Sequence, residues 1–217
     1  MRPKAKICCI QSVAEAEIAI AAGASLIGLV GAMPSGPGPI SDERIAEICR
    51  WAPPGVETVL LSSEITAYGL TAHVARCQPS ILQIVDDPDL DAYAALRTAH
   101  PSLKLMQVVH VEDEAAIDQA LTAARHVDAI LLDSGRPSAT VKELGGTGRT
   151  HNWAISARLV AAVDKPVFLA GGLDAGNVAE AVAQVRPYGL DLCSKVRTVD
   201  QLDAAKLTAF MKAAQTA

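Results

Sequence analysis

Aromatic side chains are scarce in this chain: two Phe, two Trp and three Tyr, 3% of 217 residues. Its core has to be assembled from Ala, Val, Leu and Ile, the mix found where helices cover a parallel sheet. Long apolar runs are also missing. None approaches the roughly 20 residues that span a bilayer, so no membrane is expected. The basic N-terminal stretch MRPKAKICCI lacks the apolar length and cleavage site of a signal peptide. Positive charge is not in excess. The net charge is −5, so no face-wide basic patch is implied and nucleic acid is not an expected partner. Regular cysteine spacing is absent too. The five cysteines (Cys8, Cys9, Cys49, Cys77 and Cys193) are odd in number and form neither a CxxC pair nor a zinc pattern, which argues against a disulfide framework. Together these absences predict a reduced, cytoplasmic protein. What is present is a 50% hydrophobic, 20% charged composition, enough for a sizeable core and unlike a disordered chain.

Short apolar runs alternate with amphipathic ones. AKICCI, SLIGLV, ETVLLS, ILQIV, LKLMQVVHV, DAILLD, PVFLAGG and GLDLCS read as strands. The runs between them, and AAKLTAFMKAAQ at the end, read as helices, with Ser41 a candidate N-cap. That is about eight βα units of roughly 25 residues, the arithmetic of a (β/α)₈ TIM barrel in the α/β class, as a single domain over residues 1–217. A doubly wound open sheet is the rival, but it normally carries a glycine-rich turn after its first strand. Here that turn is CIQSV, without glycine. Barrel enzymes place their sites at the C-terminal ends of the strands, and this selects the residues to weigh.

On an extended first strand Lys6 and Cys8 share one face, and Cys9 takes the other. A thiol at the open end could act as base or nucleophile, although a buried cysteine is more commonly a small hydrophobe. Asp133 ends an apolar strand, where desolvation would raise its pKa and suit it to general-acid work; the plainer role is to cap its own DSG turn. Gly171 and Gly172 end strand seven, and Ser194 and Lys195 follow strand eight. Loops at these two positions often form a phosphate site, although the glycines could serve only a tight turn. GGTG, residues 145–148, sits in the longest loop.

With these pieces placed, the chain resembles the phosphoribosylanthranilate isomerase family of tryptophan biosynthesis. KICCI matches the family's KICGI strand, ILLD its LLD, and GGTGRTHNW its GGTGKTFDW. PVFLAGGLDAGNV matches PVxLAGGL with N-V, and GLDLCSKVR matches GVDVSSGVE. The match is collinear over the whole chain. The resemblance implies an Amadori rearrangement of an N-aryl phosphoribosylamine to a 1-amino-1-deoxyketose phosphate, with no metal or organic cofactor. It makes Cys8 the base and Asp133 the acid. Lys6, Gln83, Arg136, Gly146 and Asp191 become the expected substrate-binding residues, and Gly171, Gly172, Ser194 and Lys195 the phosphate-binding ones. A monomer or a homodimer would fit the family.

The departures are specific. Gly38 stands where the family has an arginine for the anthranilate carboxylate, and glycine cannot replace a bidentate cation. Arg136 and Arg149 are candidate substitutes. Val85 and Asp86 replace a His-Gly pair after Gln83, and Lys195 replaces a glycine. Cys9 also replaces a glycine, and is expected to face away from the pocket as packing. The alternative to the isomerase is therefore a divergent member that isomerises or binds a different phosphosugar amine. A non-catalytic relative is a third reading, which the retention of Cys8 and Asp133 argues against.

Overall fold

The computed structural model describes residues 2–34, 36–135, 148 and 150–215. Eight strands alternate with eight helices: β1 (Lys4–Ile7), α1 (Val13–Ala21), β2 (Leu26–Val30), α2 (Asp42–Trp51), β3 (Glu57–Ser62), α3 (Ala67–Cys77), β4 (Ile81–Ile84), α4 (Leu90–Ala99), β5 (Lys104–His110), α5 (Ala115–Ala123), β6 (Ala129–Asp133), α6 (Trp153–Ala162), β7 (Val167–Leu169), α7 (Val178–Val185), β8 (Gly189–Leu192) and α8 (Ala204–Gln215). All eight strands are parallel and close into a barrel in sequence order. Closure is made by β8 on β1, where Lys6 lies beside Asp191 and Ile7 beside Leu192.

The strict period of two sorts the strand residues into two cores. Ile7, Ile27, Leu29, Leu60, Leu82, Ile84, Ile130, Leu132 and Leu190 point outward and meet the helices. Leu26, Val59, Leu61, Ile81, Met106, Val108, Leu131 and Phe168 fill the barrel. A Cβ on Gly189 would fall 2.3 Å from the Phe168 ring, so a side chain has to be absent here for the ring to fit. Because both faces are buried, the strands read as continuous apolar runs.

The helix starts follow their caps. Ser12, Ser41 and Thr66 Oγ atoms accept from the backbone N–H three residues on, in Glu15, Arg44 and Gly69. Two expectations need correcting. The first strand ends at Ile7 rather than Ile10, because Cys9 adopts φ +62° and the chain turns out of the sheet. β8 likewise ends at Leu192, and a single 3₁₀ turn, Ser194–Val196, follows. A small antiparallel pair, β9 (Arg197–Thr198) and β10 (Gln201–Leu202), was not anticipated. Among the described residues no helix is long and apolar enough to cross a membrane.

Candidate active site

Side chains on the inner face at the strands' C-terminal ends surround one pocket. It is bordered by Cys8, Cys9 and Asp191 on the β1–β8 side, and by Gln83 and Asp133 across from them. Gly148, Gly171, Gly172, Ser194 and Lys195 form its rim. The structure thus brings together Cys8, Gln83, Asp133, Asp191 and the four residues expected to hold phosphate. Lys6 sits one layer below, fully buried, with Nζ 2.9 Å from Asp191 Oδ1. Arg136, Gly146 and Arg149 lie outside the described residues.

The charges can be counted. Burial alone would lower the pKa of Lys6, but the neighbouring Asp191 and Cys8 hold it above its ordinary value, so it is an ammonium. Burial pushes the Cys8 thiol up to about 11, even though Lys6 pulls the other way. Burial also raises Asp133, against the pull of the Ser134 N–H that donates to its Oδ1 at 2.7 Å. Asp191 is raised by burial and opposed by Lys6. One buried cation therefore faces three acids. It can sustain one anion, and the 2.9 Å contact assigns that anion to Asp191. Burial thus favours the protonated forms of both Cys8 and Asp133.

Gln83 is the counterpart on the opposite wall. It is buried, and among the described residues its Oε1 has no hydrogen-bond partner. Buried polar atoms are normally satisfied, so an unmet acceptor beside a pocket is a place for a ligand donor.

At the rim, Gly171 and Gly172 adopt φ +83° and +63°. A Cβ on Gly171 would fall 3.1 Å from both His151 Nδ1 and Ser134 Oγ, so side chains are excluded and backbone N–H groups are left for a ligand. The Ser194 hydroxyl and Lys195 close the opposite rim, next to Gly148. His151 is kept neutral by burial, with its pKa lowered to about 4, and Nε2 is 2.8 Å from Ser156 Oγ.

Cys9 does not face away. It borders the pocket and is disulfide-bonded to Cys193, with Cα atoms 6.0 Å apart. The expectation of a chain without disulfides is corrected with it; Cys8, Cys49 and Cys77 are free. The reason is the φ of +62°: strand alternation stops at Ile7 and cannot be extended through residue 9. Cys9 also explains Gly38. A Cβ at Gly38, which has φ +85°, would lie 2.6 Å from the Cys9 Cβ. The two departures from the family pattern are thus spatially coupled. One position gains a side chain where the other loses it. Sequence reasoning singled out both residues but had no signal for their contact, since they are 29 positions apart in the chain and a turn decides their meeting.

One cluster of metal-ligating types occurs among the described residues, Asp42, His73 and Cys77 on α2 and α3. Its atoms already have partners. His73 Nδ1 lies 2.8 Å from Ser62 Oγ and Nε2 3.2 Å from Asp42 Oδ1, while Arg76 Nε donates to Asp42 Oδ2 at 2.6 Å. We read it as a packed polar network between helices.

A closed eight-stranded barrel with a buried thiol, a buried carboxyl and a glycine-lined rim at its C-terminal face is the architecture of a (β/α)₈ enzyme. Comparison with known proteins narrows this. The family model described as N-(5'phosphoribosyl)anthranilate (PRA) isomerase matches residues 5–213. The N-(5'-phosphoribosyl)anthranilate isomerase of Haloferax volcanii is 37% identical, covering 99% of this chain and 94% of that protein. The crystal structure of the Thermus thermophilus enzyme superposes with a TM-score of 0.82 at 26% identity, covering 98% of each chain. A further solved relative, 23% identical with a TM-score of 0.80 and covering 99% and 100%, was crystallised with reduced 1-(o-carboxyphenylamino)-1-deoxyribulose 5-phosphate. The chain belongs to the phosphoribosylanthranilate isomerase family.

Proposed function

We propose that this protein catalyses the Amadori rearrangement of N-(5'-phosphoribosyl)anthranilate in tryptophan biosynthesis, with Asp133 as general acid and Cys8 as general base. The observation that carries the reading is the convergence of these two protonated acids on one pocket, with the Lys6–Asp191 pair beneath them. Asp133 gives its proton to the furanose ring oxygen. The C1–O bond breaks, leaving a carboxylate at Asp133 and a cationic imine at C1. The site then holds two cations, Lys6 and the imine, against two carboxylates, Asp191 and Asp133. Before this step a thiol at about 11 is ionised in roughly one molecule in 10⁴ at neutral pH. The imine beside it favours the thiolate, which removes the C2 proton. The resulting enolamine tautomerises to the 1-amino-1-deoxyketose. Proton transfers of this kind typically contribute about 10²–10⁴-fold.

The remaining roles follow from position. Gln83 Oε1 accepts a donor of the substrate, and Asp191 holds a sugar hydroxyl with the oxygen that Lys6 leaves free. The backbone at Gly171 and Gly172, the Ser194 hydroxyl and the Lys195 ammonium receive the phosphate. The complex of the related enzyme named above contains a product-like phosphate, which supports a ligand of this shape. Arg136 and Gly146 are proposed to complete the site from the loop after β6. A cytoplasmic monomer or homodimer without nucleic-acid partners fits the acidic net charge.

Gly38 favours a second reading: a phosphosugar amine without the anthranilate carboxylate. Rescue of a tryptophan auxotroph lacking the isomerase, together with turnover of phosphoribosylanthranilate by the purified protein, decides between them. Rescue with efficient turnover supports the anthranilate substrate; failure of both moves the assignment to the second.

A further inference from the structure

We infer that Cys9 and Cys193 form a redox-modification site that controls the active site, with low-molecular-weight disulfides and dithiols as its co-reactants. Three observations converge. The bond borders the substrate pocket on both sides. It joins the residue that follows the base Cys8 to the residue that precedes the phosphate-rim Ser194, across the seam where β1 meets β8. Both sulfurs stand where the related pattern has glycine and serine, so the pair belongs to this chain rather than to the chemistry of the reaction.

Access is one-sided. Cys9 is 4% exposed, while Cys193 is half-buried and opens to the pocket. An incoming thiolate therefore attacks Cys193 Sγ, and Cys9 leaves as the thiolate and takes up a proton. The second thiol of a dithiol then displaces Cys193, which also gains a proton. Two electrons pass from the dithiol, which ends as its own disulfide. In the reverse direction a low-molecular-weight disulfide accepts the two electrons, and its two thiols carry the protons away.

The bonded state is the competent one. Cys9 has φ +62°, an uncommon region for a residue with a Cβ, and the bond to Cys193 ties it to the residue before the Ser194 turn. Reduction lets the Cys9 backbone relax toward the common region, drawing Cys8 and the Ser194 turn apart. Substituting Cys9→Gly with Cys193→Ser removes the bond while restoring a residue that accepts positive φ.

The test has three readouts on the full-length protein, equilibrated with oxidised glutathione or with dithiothreitol. Differential alkylation with mass spectrometry should find Cys9 and Cys193 protected in the first and labelled in the second, with Cys8 and Cys49 unpaired in both. Amide hydrogen exchange over residues 8–12 and 193–197 should quicken on reduction in the wild type, and should not respond in Cys9→Gly/Cys193→Ser. kcat/KM for phosphoribosylanthranilate should fall about tenfold on reduction in the wild type and stay constant in the double variant. The last readout rests on the isomerase reading; the first two do not. Labelling of both cysteines in oxidised glutathione overturns the inference. So does a pair that forms and breaks without changing exchange, or one that changes exchange while an active enzyme keeps its kcat/KM. Absence of turnover in every state, with the first two readouts positive, overturns the substrate assignment and leaves the redox site supported.

Discussion

The two walls of the pocket differ in how complete they are. On the β1–β8 wall the polar groups have partners already: Lys6 with Asp191, and Cys9 with Cys193. On the β4–β6 wall Gln83 Oε1 has none among the described residues, and Asp133 is met by the adjacent Ser134 N–H. One wall is built before a ligand arrives, and the other is finished by it. A buried pair resists change, since removing one member strands the other. An unmet acceptor does the opposite and carries a desolvation cost until a substrate donor relieves it.

The largest break in this comparison comes from the two protonated acids. Cys8→Ala and Asp133→Asn should each lower kcat by about 10²–10⁴-fold with the fold retained, as steady-state kinetics and circular dichroism will show. Asp133→Asn should also separate function from stability. The folded-state pKa of Asp133 is raised, so its stabilising contribution is full below the unfolded value and is lost as pH rises through the folded one. The Asn variant escapes that loss and should melt higher than the wild type once pH rises above the unfolded carboxylate value, with no difference in acid. Wild-type kcat should fall as pH rises through the raised folded-state value of Asp133.

Next in size is the finished wall. Lys6→Met leaves Asp191 buried without its cation and should cost about 3–5 kcal/mol in denaturant unfolding. Pairing it with Asp191→Leu should recover much of that stability and none of the activity. Equal instability of single and double variants would mean the Lys6–Asp191 pair is not the stabilising unit.

The unfinished wall should answer in the other direction. Gln83→Leu removes a partnerless acceptor, so the ligand-free protein should be as stable as the wild type or more so. The same change should lower kcat/KM by roughly three- to tenfold, the worth of one ordinary hydrogen bond. A clear loss of stability would show that Gln83 has a structural partner.

The smallest effect sharpens the reading of Gly38. Restoring an arginine by Gly38→Arg puts a Cβ onto Cys9 and a side chain at positive φ, so the single variant should lose about 1–2 kcal/mol. Combining it with Cys9→Gly removes the clash but not the positive-φ cost, so it should recover part of the stability and, for an anthranilate substrate, lower KM.

Most of the barrel was legible in the chain because its strands are buried on both faces. LIGLV and ILLD carry their own signal, and Ser41 announced α2. Cys8 and Asp133 were singled out because they stand at the ends of apolar strands, and the family resemblance supplied their expected roles. Cys9 was misplaced because alternation holds only while φ stays extended, and nothing local marks the reversal at residue 9. The β9–β10 pair escaped notice for a different reason. Its two-residue strands owe their place to Glu15, whose Oε1 accepts from Arg197 Nη2 at 2.7 Å and from the Leu202 N–H at 2.8 Å. A bond between residues 182 positions apart leaves no mark in either neighbourhood.

That long-distance bond sets a timetable for synthesis. Glu15 and Lys6 emerge from the ribosome with the first tenth of the chain, while Asp191 and Arg197 emerge only in the last eighth. Until then Lys6 is a cation facing an open sheet edge, and β1 has one neighbour rather than two. A nascent chain of seven units can form its local βα pairs but cannot seal the ring, so its two outer strands stay available to other chains. The final unit therefore acts as a latch: truncation or stalling near residue 190 should yield a species prone to aggregate, and slow translation just before that point would lengthen its exposure to chaperones.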